Sequence, residues 1–441
     1  MLNTINSIFR VPELRKKILI TVGLLFIYRI GSHVPLPGVN IDVIKTLQAE
    51  MFGALGSLVG IFNAISAGGL DQCTLFSLGI MPYISSSIIF SLLVKVVPAL
   101  EKLSKEGASG QKKINQYTRL LTVPICIVQS LMVVVGVMGT RATGNVFIVE
   151  PELYASFAYK LMCITGITAG TIFLMWLGEQ ITEYGVGNGI SLLIMAGIVA
   201  DLPSIFMNQL DQISGGFAEP QALVVISFLF IGVVISVVFI TKGQRRIPIQ
   251  QAKLTRGRKM YGGQRHYLPF KVNQAGVMPV IFASALLTIP SLLFRGLRLD
   301  VLDYYFDYGG FWYVTVYIVL VFFFAYFWNS LMFQPTEMAN NLKEHGSFIP
   351  GIRPGKRTAE FLENVMVRIT LVGASFLAFI AVFPMFVTRS LDAPGLLSRF
   401  LGGTTILIVV GVALDLVDKI NSYLRMRDYE GFMKKGRGRA R

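Results

Sequence analysis

The first residues of this chain that could carry out chemistry are two carboxylates. Glu179 and Glu183 lie four positions apart, so a helix would place both acids on one face. A neighbouring pair of this kind can act as general acid and base. These two, however, end a long apolar stretch, where charged pairs commonly face basic loops. We therefore predict a charge pair at a helix end and not a catalytic site.

Other motifs for catalysis, cofactors or metals are missing from the sequence. The glycine run at 185–189 follows an apolar stretch instead of a strand and lacks the last glycine of a dinucleotide-binding loop. Cys73, Cys126 and Cys163 have no partner at metal or redox spacing, and we predict that they are packing residues. The sequence thus predicts a protein that is not an enzyme and has no catalytic residue, cofactor or metal.

Two isoleucine pairs recur at helical spacing. Ile84 and Ile88 share one helix face in the stretch ISSSI, and Ile190 and Ile194 do so in ISLLI. Such faces are usually packing surfaces. An apolar constriction can also close a pore, because it excludes water. The spacing alone leaves both interpretations open.

The acidic pair and the two isoleucine pairs lie within or at the ends of long apolar stretches of the sequence. A mean hydropathy of +0.62 and 53% hydrophobic residues exclude an ordinary soluble globule. A helix needs ~20 mostly apolar residues to cross a bilayer. The runs that meet this requirement predict ten spans, at 18–37, 74–94, 119–138, 156–177, 186–203, 221–241, 273–294, 311–333, 367–388 and 401–424.

Basic residues fall in alternate gaps between these spans. If the N-terminus is cytoplasmic, 32 of the 40 Lys and Arg lie on the cytoplasmic side. Such a bias is the one that the positive-inside rule describes, so we predict a multi-pass protein with both termini in the cytoplasm. By itself the net charge of +15 fits attraction to anionic lipid, and it also fits docking of an acidic partner or of RNA.

The predicted spans divide into five and five. We predict an N-terminal half at 1–203, an external hinge at 204–220, a C-terminal half at 221–424 and a basic cytoplasmic tail at 425–441. With five spans in each half, the second half enters the membrane from the opposite side, as in an inverted repeat.

Three soluble segments separate some of the spans, at 38–73 outside and at 242–272 and 334–366 in the cytoplasm. The external one contains a short apolar stretch with flanking glycines at 52–70, which cannot cross a bilayer by itself. It fits either a re-entrant element buried in protein or a plain interfacial helix.

Seven stretches, in order along the ten spans, resemble the SecY family, whose members are central subunits of the bacterial Sec protein-conducting channel. Ser91 stands where the family often has Gln. The seven stretches are YRIGSHVPLPG (28–38), GIMPYISSSII (79–89), GEQITEYGVGNGIS (178–191), GQRRIPIQ (243–250), KVNQAGVMPVIFAS (271–284), PGIRPGKRTAEFL (350–362) and GGTTILIVV (402–410).

The resemblance implies an all-α integral membrane protein with ten transmembrane helices in two inverted five-helix halves around an hourglass pore. It implies a constriction ring of isoleucines and a plug within 57–70. The ring residues are Ile84, Ile88, Ile190, Ile194, Ile281 and Ile408. The plug residues are Leu58, Ile61, Phe62 and Ile65.

A lateral gate and a docking surface are also implied. The gate lies between spans two and three and spans seven and eight, with Ser91, Gln129 and Asn273 in its lining. In the family the two basic loops bind the ribosome or the ATPase SecA, which makes docking the favoured interpretation of their charge, since Arg grips phosphate and carboxylate bidentately. The docking residues are Arg245, Arg246, Arg256, Arg258, Lys259, Arg353, Lys356 and Arg357.

The implied function is that of the channel subunit of a Sec translocase in a bacterial inner membrane, which passes unfolded secretory proteins and releases membrane segments sideways. Implied partners are the small subunits SecE and SecG, SecA, the ribosome with its ribosomal RNA, signal-sequence-bearing polypeptides and membrane lipid. A ten-span secondary transporter for a small solute is the alternative, and it would need convergent charged or carbonyl groups near the midplane. A plastid channel is a narrower alternative.

Overall fold

A computed structural model describes most of the chain, which is mainly helical over these residues. The described residues are 11–40, 73–136, 138, 147–214, 220–251, 254–256, 259–261, 265–284, 286–287, 310–390 and 403–437.

Long helices carry the apolar runs. Several of them begin with a proline in the first turn, where the missing backbone N–H is not needed for a helical hydrogen bond. The helices are α1 (Pro12–Gly31), α2 (Met81–Val96), α3 (Pro98–Lys105), α4 (Ala108–Gly136), α5 (Pro151–Ala155), α6 (Phe157–Tyr184), α7 (Gly189–Ser214), α8 (Pro220–Lys242), α9 (Phe311–Met332), α10 (Pro335–Glu344), α11 (Lys356–Ser390) and α12 (Gly403–Arg437). Residues 278–284 are also helical.

Each of the ten predicted spans overlaps one of these helical segments. In the described part of the chain, four stretches are long and apolar enough to cross a membrane, and α2 with α3 forms a fifth if this pair, bent by 96°, is one span. The four are Ala108–Val135, Phe157–Tyr184, Phe311–Glu344 and Lys356–Val387. This number of apolar helices indicates a multi-pass membrane protein.

The chain forms two compact units. Unit 1 contains Met1–Asp211 and Val412–Arg441, and unit 2 contains Gln212–Gly411. The boundary thus falls at the end of α7, and α12 is divided between the units. The halves predicted from the sequence, which end at 203 and 424, stay a prediction.

The described part of unit 1 is built around α6, which packs against α1 and α4, while α4 packs against α2. A buried cluster beside these helices includes Leu36, Ile167 and the cysteines Cys73, Cys126 and Cys163. All three cysteines are buried. This confirms the prediction that they are packing residues.

In unit 2, α11 packs against α8, α9 and α10. The two basic loops carry small antiparallel sheets that the sequence analysis did not predict. The strands are β1 (Gln244–Gln251), β2 (Leu254–Arg256), β3 (Lys259–Tyr261), β4 (Arg265–Lys271) and β5 (Ser347–Phe348). β1 pairs with both β4 and β5, and β2 pairs with β3. Because β5 comes from the second loop, the pairing of β1 with β5 joins the two loops.

Candidate functional site

The pair Ile84 and Ile88 lies on the face of α2 that is turned away from α4. Ser86 is fully buried, and its Oγ donates a hydrogen bond of 2.6 Å to the carbonyl oxygen of Thr118 on α4. Side chains two positions apart on a helix point ~200° apart. The serine contact therefore directs both isoleucines, which are partly buried, away from α4.

The second pair lies in the first turns of α7. Ile190 is partly buried, and Ile194 is 7% exposed. A short loop from Gly185 to Asn188 connects α6 to α7, and the side-chain Oδ1 of Asn188 accepts a hydrogen bond of 3.2 Å from the backbone N–H of Ile190. Asn188 therefore caps the N-terminus of α7, the helix that carries the pair.

The two remaining isoleucines belong to unit 2. Ile281 is 7% exposed and Ile408 is 4% exposed. The start of α12 lies beside the segment that leads to Ile281, since a Cβ placed on Gly411 would be 3.5 Å from a methyl carbon of Val277. Four isoleucines thus lie in unit 1 and two in unit 2, and their closure into one ring stays a prediction.

The predicted plug residues Leu58, Ile61, Phe62 and Ile65 lie outside the described residues. The two ends of the segment that contains them are described, and they pair with one another. The backbone N–H of Leu36 donates to the carbonyl oxygen of Cys73, and that of Leu75 donates to the carbonyl oxygen of Val34, both at 3.0 Å. These bonds hold the segment's two ends side by side.

The three predicted gate residues lie in different surroundings. The hydroxyl of Ser91 donates to the carbonyl oxygen of Ser87 in its own helix at 2.7 Å. Oε1 of Gln129 in α4 is buried and has no hydrogen-bond partner among the described residues. Asn273 lines a small pocket in unit 2. The assignment of all three to a gate stays a prediction.

The pocket beside Asn273 contains two polar residues that the sequence analysis missed. Asn329 of α9 donates through Nδ2 to the hydroxyl of Thr370 in α11, and Thr370 donates to the carbonyl oxygen of Met366 at 2.8 Å. Both Asn329 and Thr370 are at least nine-tenths buried. Their polarity inside apolar spans was the available signal, because intramembrane polar residues commonly bond between helices.

The predicted docking residues of the first loop lie on the strands. Arg245 and Arg246 are exposed on β1, where Ile247 and Ile249 are buried. Arg256 and Lys259 are paired residues at the end of the hairpin of β2 and β3. Arg258 lies outside the described residues. The strand pairing therefore places four of the predicted basic positions on two connected antiparallel sheets.

The predicted docking residues of the second loop are all exposed. Arg353 lies in the turn before α11, and Lys356 and Arg357 are the first residues of that helix. The hydroxyl of Thr358 donates to the carbonyl oxygen of Arg353 at 2.9 Å, which closes the turn onto the start of α11. Gly355 has φ +107°, a conformation that residues with a Cβ rarely adopt. This turn therefore has a defined backbone shape.

An apolar cluster in unit 2 supports both basic segments. Ile247 of β1 and Ile349, next to β5, are buried in it together with Leu362 of α11. Ile352, within the basic turn, packs against the same cluster. β1, which carries the exposed Arg245 and Arg246, and the turn that carries Arg353 thus pack on the same apolar cluster.

Glu179 is engaged in an ion pair between helices. Its Oε1 lies 2.5 Å from Nε of Arg119 on α4, and its side chain is 24% exposed. The pairing joins the interior of α4 to the last two turns of α6. This agrees with the prediction of a helix-end charge and gives no support to a catalytic carboxylate pair.

A sequence profile of the SecY family matches residues 74–417. A protein translocase subunit SecY of Streptomyces scabiei is 42% identical over 448 residues, which cover 98% of this chain and 100% of the relative. A protein translocase subunit SecY of Escherichia coli K12 is 40% identical over 430 residues, covering 96% of this chain and 94% of the relative.

Solved structures share the fold. A protein-conducting channel matches with a TM-score of 0.64 and 20% identity, over 92% of both chains. Sec61 in the canine ribosome–channel complex matches with a TM-score of 0.58 and 17% identity, also over 92% of both chains. The predicted all-α membrane fold is thereby confirmed, with two small sheets added in its loops.

Proposed function

Because this chain belongs to the SecY family, we propose that it is the protein-conducting channel of a Sec translocase. The proposal rests on the similarity of nearly the whole chain to proteins named protein translocase subunit SecY. The protein is a translocase channel subunit and not an enzyme. It passes unfolded secretory proteins and releases membrane segments sideways into the lipid.

The channel is closed at rest by apolar side chains. The proposed constriction consists of six isoleucines from four helical segments. They are Ile84 and Ile88 of α2, Ile190 and Ile194 of α7, Ile281 of the helical residues 278–284, and Ile408 of α12. β-Branched apolar side chains dewet a narrow passage and stop ions, yet they offer no specific polar site to a passing chain. This suits a channel that must pass any sequence. The buried state of Ile194, Ile281 and Ile408 supports the assignment.

The proposed arrangement has two inverted five-helix halves with an hourglass pore between them. The plug within 57–70 closes the external side, and Ser91, Gln129 and Asn273 line the lateral gate. The protein resides in a bacterial inner membrane with both termini in the cytoplasm. The uneven distribution of Lys and Arg supports this orientation.

The two basic loops form the proposed cytoplasmic docking surface. Its partners are the ATPase SecA and the ribosome, whose carboxylates and RNA phosphates match exposed arginines. The pairing of β1 with β5 and the apolar cluster shared by the two loops support the assignment. Such packing holds several charges in fixed positions. The proposed membrane partners are the small subunits SecE and SecG.

The test is reconstitution of the protein with its small subunits and its ATPase in liposomes. We expect ATP-dependent protection of an unfolded, signal-bearing protein from added protease. A secondary transporter would instead accumulate a small solute with the protein alone and an ion gradient. Solute uptake without protein translocation would overturn the proposal.

A further inference from the structure

Two threonine hydroxyls hold the loop between α6 and α7, at residues 185–188. Each hydroxyl also bonds its own helix. Oγ1 of Thr21 donates to the carbonyl oxygen of Lys17, and Oγ1 of Thr182 donates to that of Gly178, both at 2.9 Å. A hydroxyl has one donor and two acceptor lone pairs. Each oxygen can therefore also accept a hydrogen bond from the loop.

Thr21 of α1 accepts from the first part of the loop. The backbone N–H of Val186 donates to its Oγ1 at 3.1 Å. Thr21 is 7% exposed and Val186 is 1% exposed. A backbone N–H that is buried without a partner destabilises the structure that buries it. The hydroxyl of α1 thus stabilises this position of the loop.

Thr182 of α6 accepts a hydrogen bond from the first residue of α7, directly after the loop. The backbone N–H of Gly189 donates to its Oγ1 at 2.8 Å. Here α6 and α7 approach closely, since a Cβ placed on Gly189 would overlap the carbonyl oxygen of Gly178. The hydroxyl of Thr182 therefore bonds both backbones at the point where they touch, and it fixes the end of one helix against the start of the other.

From this geometry we propose that Thr21 and Thr182 are positioning residues for Ile190 and Ile194. The inference rests on the proposed pore function of the two isoleucines. The first turn of α7 contains Gly189 and Ile190, so a displacement of this turn moves the whole isoleucine face with it. The two hydroxyls hold the turn in place and keep the constriction closed at rest. Through Thr21, α1 contributes to the seal without carrying any of the proposed ring residues.

The test measures resting ion conductance of vesicles that contain the complete translocase. Thr21→Val and Thr182→Val keep the side-chain shape and remove the acceptor. Thr165→Val is the matched control, because the hydroxyl of Thr165 donates to carbonyl oxygens of its own helix. We expect a roughly fivefold rise in conductance for Thr21→Val, as for the loss of one buried hydrogen bond. Thr182→Val should raise conductance less, because the bond from Gly189 to Thr182 is only partly buried. The control should leave conductance unchanged.

Three further variants separate positioning from general damage. Thr21→Ser keeps the hydroxyl and should restore low conductance. Thr21→Val combined with Ile194→Asn should add little to the leak of Ile194→Asn alone, because both changes open the same constriction. An additive leak, or a leak from Thr21→Ser equal to that from Thr21→Val, would overturn the positioning role.

The same measurements distinguish failure of the inference from failure of the proposed pore. If Ile194→Asn leaks and neither valine variant does, the threonines are not positioning residues and the pore assignment stands. If Ile194→Asn itself does not leak, the pore assignment and the inference are both wrong.

Discussion

The hydroxyl of Ser86 donates to the carbonyl oxygen of Thr118, so one buried hydrogen bond sets how α2 is rotated against α4. The same carbonyl oxygen also accepts from Oγ1 of Thr122 at 2.8 Å. Apolar contacts are non-directional and would allow several rotations. A hydrogen bond between helices is directional, and here it places Ile84 and Ile88 on the opposite face.

Because of this contact, we expect a larger side chain at position 86 to destabilise the protein. Ser86→Leu should lower the free energy of unfolding by ~1–3 kcal/mol, because the site is fully buried against α4. Ser86→Ala should cost only ~0.6 kcal/mol, since Thr118 keeps its bond from Thr122. Thermal unfolding in detergent measures both. Ser91→Leu is the control, because Ser91 bonds only within its own helix in the described structure. Equal losses from the two leucine variants would contradict the packing argument.

Polar substitution of the proposed ring should make the closed channel leak. Ile408→Asn and Ile194→Asn should wet the constriction and raise resting conductance roughly tenfold, with weaker discrimination against defective signal sequences. Conductance of vesicles and export of a protein with a defective signal are the measurements. Ile235→Asn on α8, where the side chain is 63% exposed, should change neither. Tight vesicles and rejected signals in both ring variants would show that the ring is assigned wrongly.

Deletion of residues 58–66 tests the plug. The short apolar segment should seal the closed channel, so its removal should raise resting conductance while translocation continues at a similar rate. Translocation persists because the driving partner and the constriction are unchanged. Conductance and protease protection are measured on the same vesicles. An unchanged resting conductance would mean that 52–70 is an interfacial helix.

Charge reversal in the basic turn tests docking. Arg353→Glu should weaken binding of SecA to the reconstituted channel by ~2–5 kcal/mol if the arginine makes a desolvated contact. A merely solvated charge contributes ~0–1 kcal/mol. The control is Lys343→Glu, an exposed charge on α10 in the same loop. The measurement is affinity at moderate salt. The same small reduction for both variants would indicate a general positive field and no specific contact at Arg353.

Much of the fold could be predicted because a membrane span is a local property. A run of ~20 apolar residues partitions into the bilayer whatever its neighbours are. Each of the ten predicted spans accordingly overlaps a helical segment. The packing role of the cysteines was also predictable, since they have no partner at metal or redox spacing. The charge role of Glu179 was predictable from its position at the end of an apolar stretch.

The contacts between distant segments were decided by the tertiary structure. The pairing of β1 with the two-residue strand β5 joins loops that are far apart in sequence, and two residues are too few to show a strand pattern. The bonds from Ser86 to Thr118 and from Val186 to Thr21 likewise depend on which helix faces meet. The sequence by itself determined which segments are helical and apolar, through hydrophobic partitioning. Only the fold decided which polar groups meet, because a hydrogen bond forms only when its two groups are brought within reach.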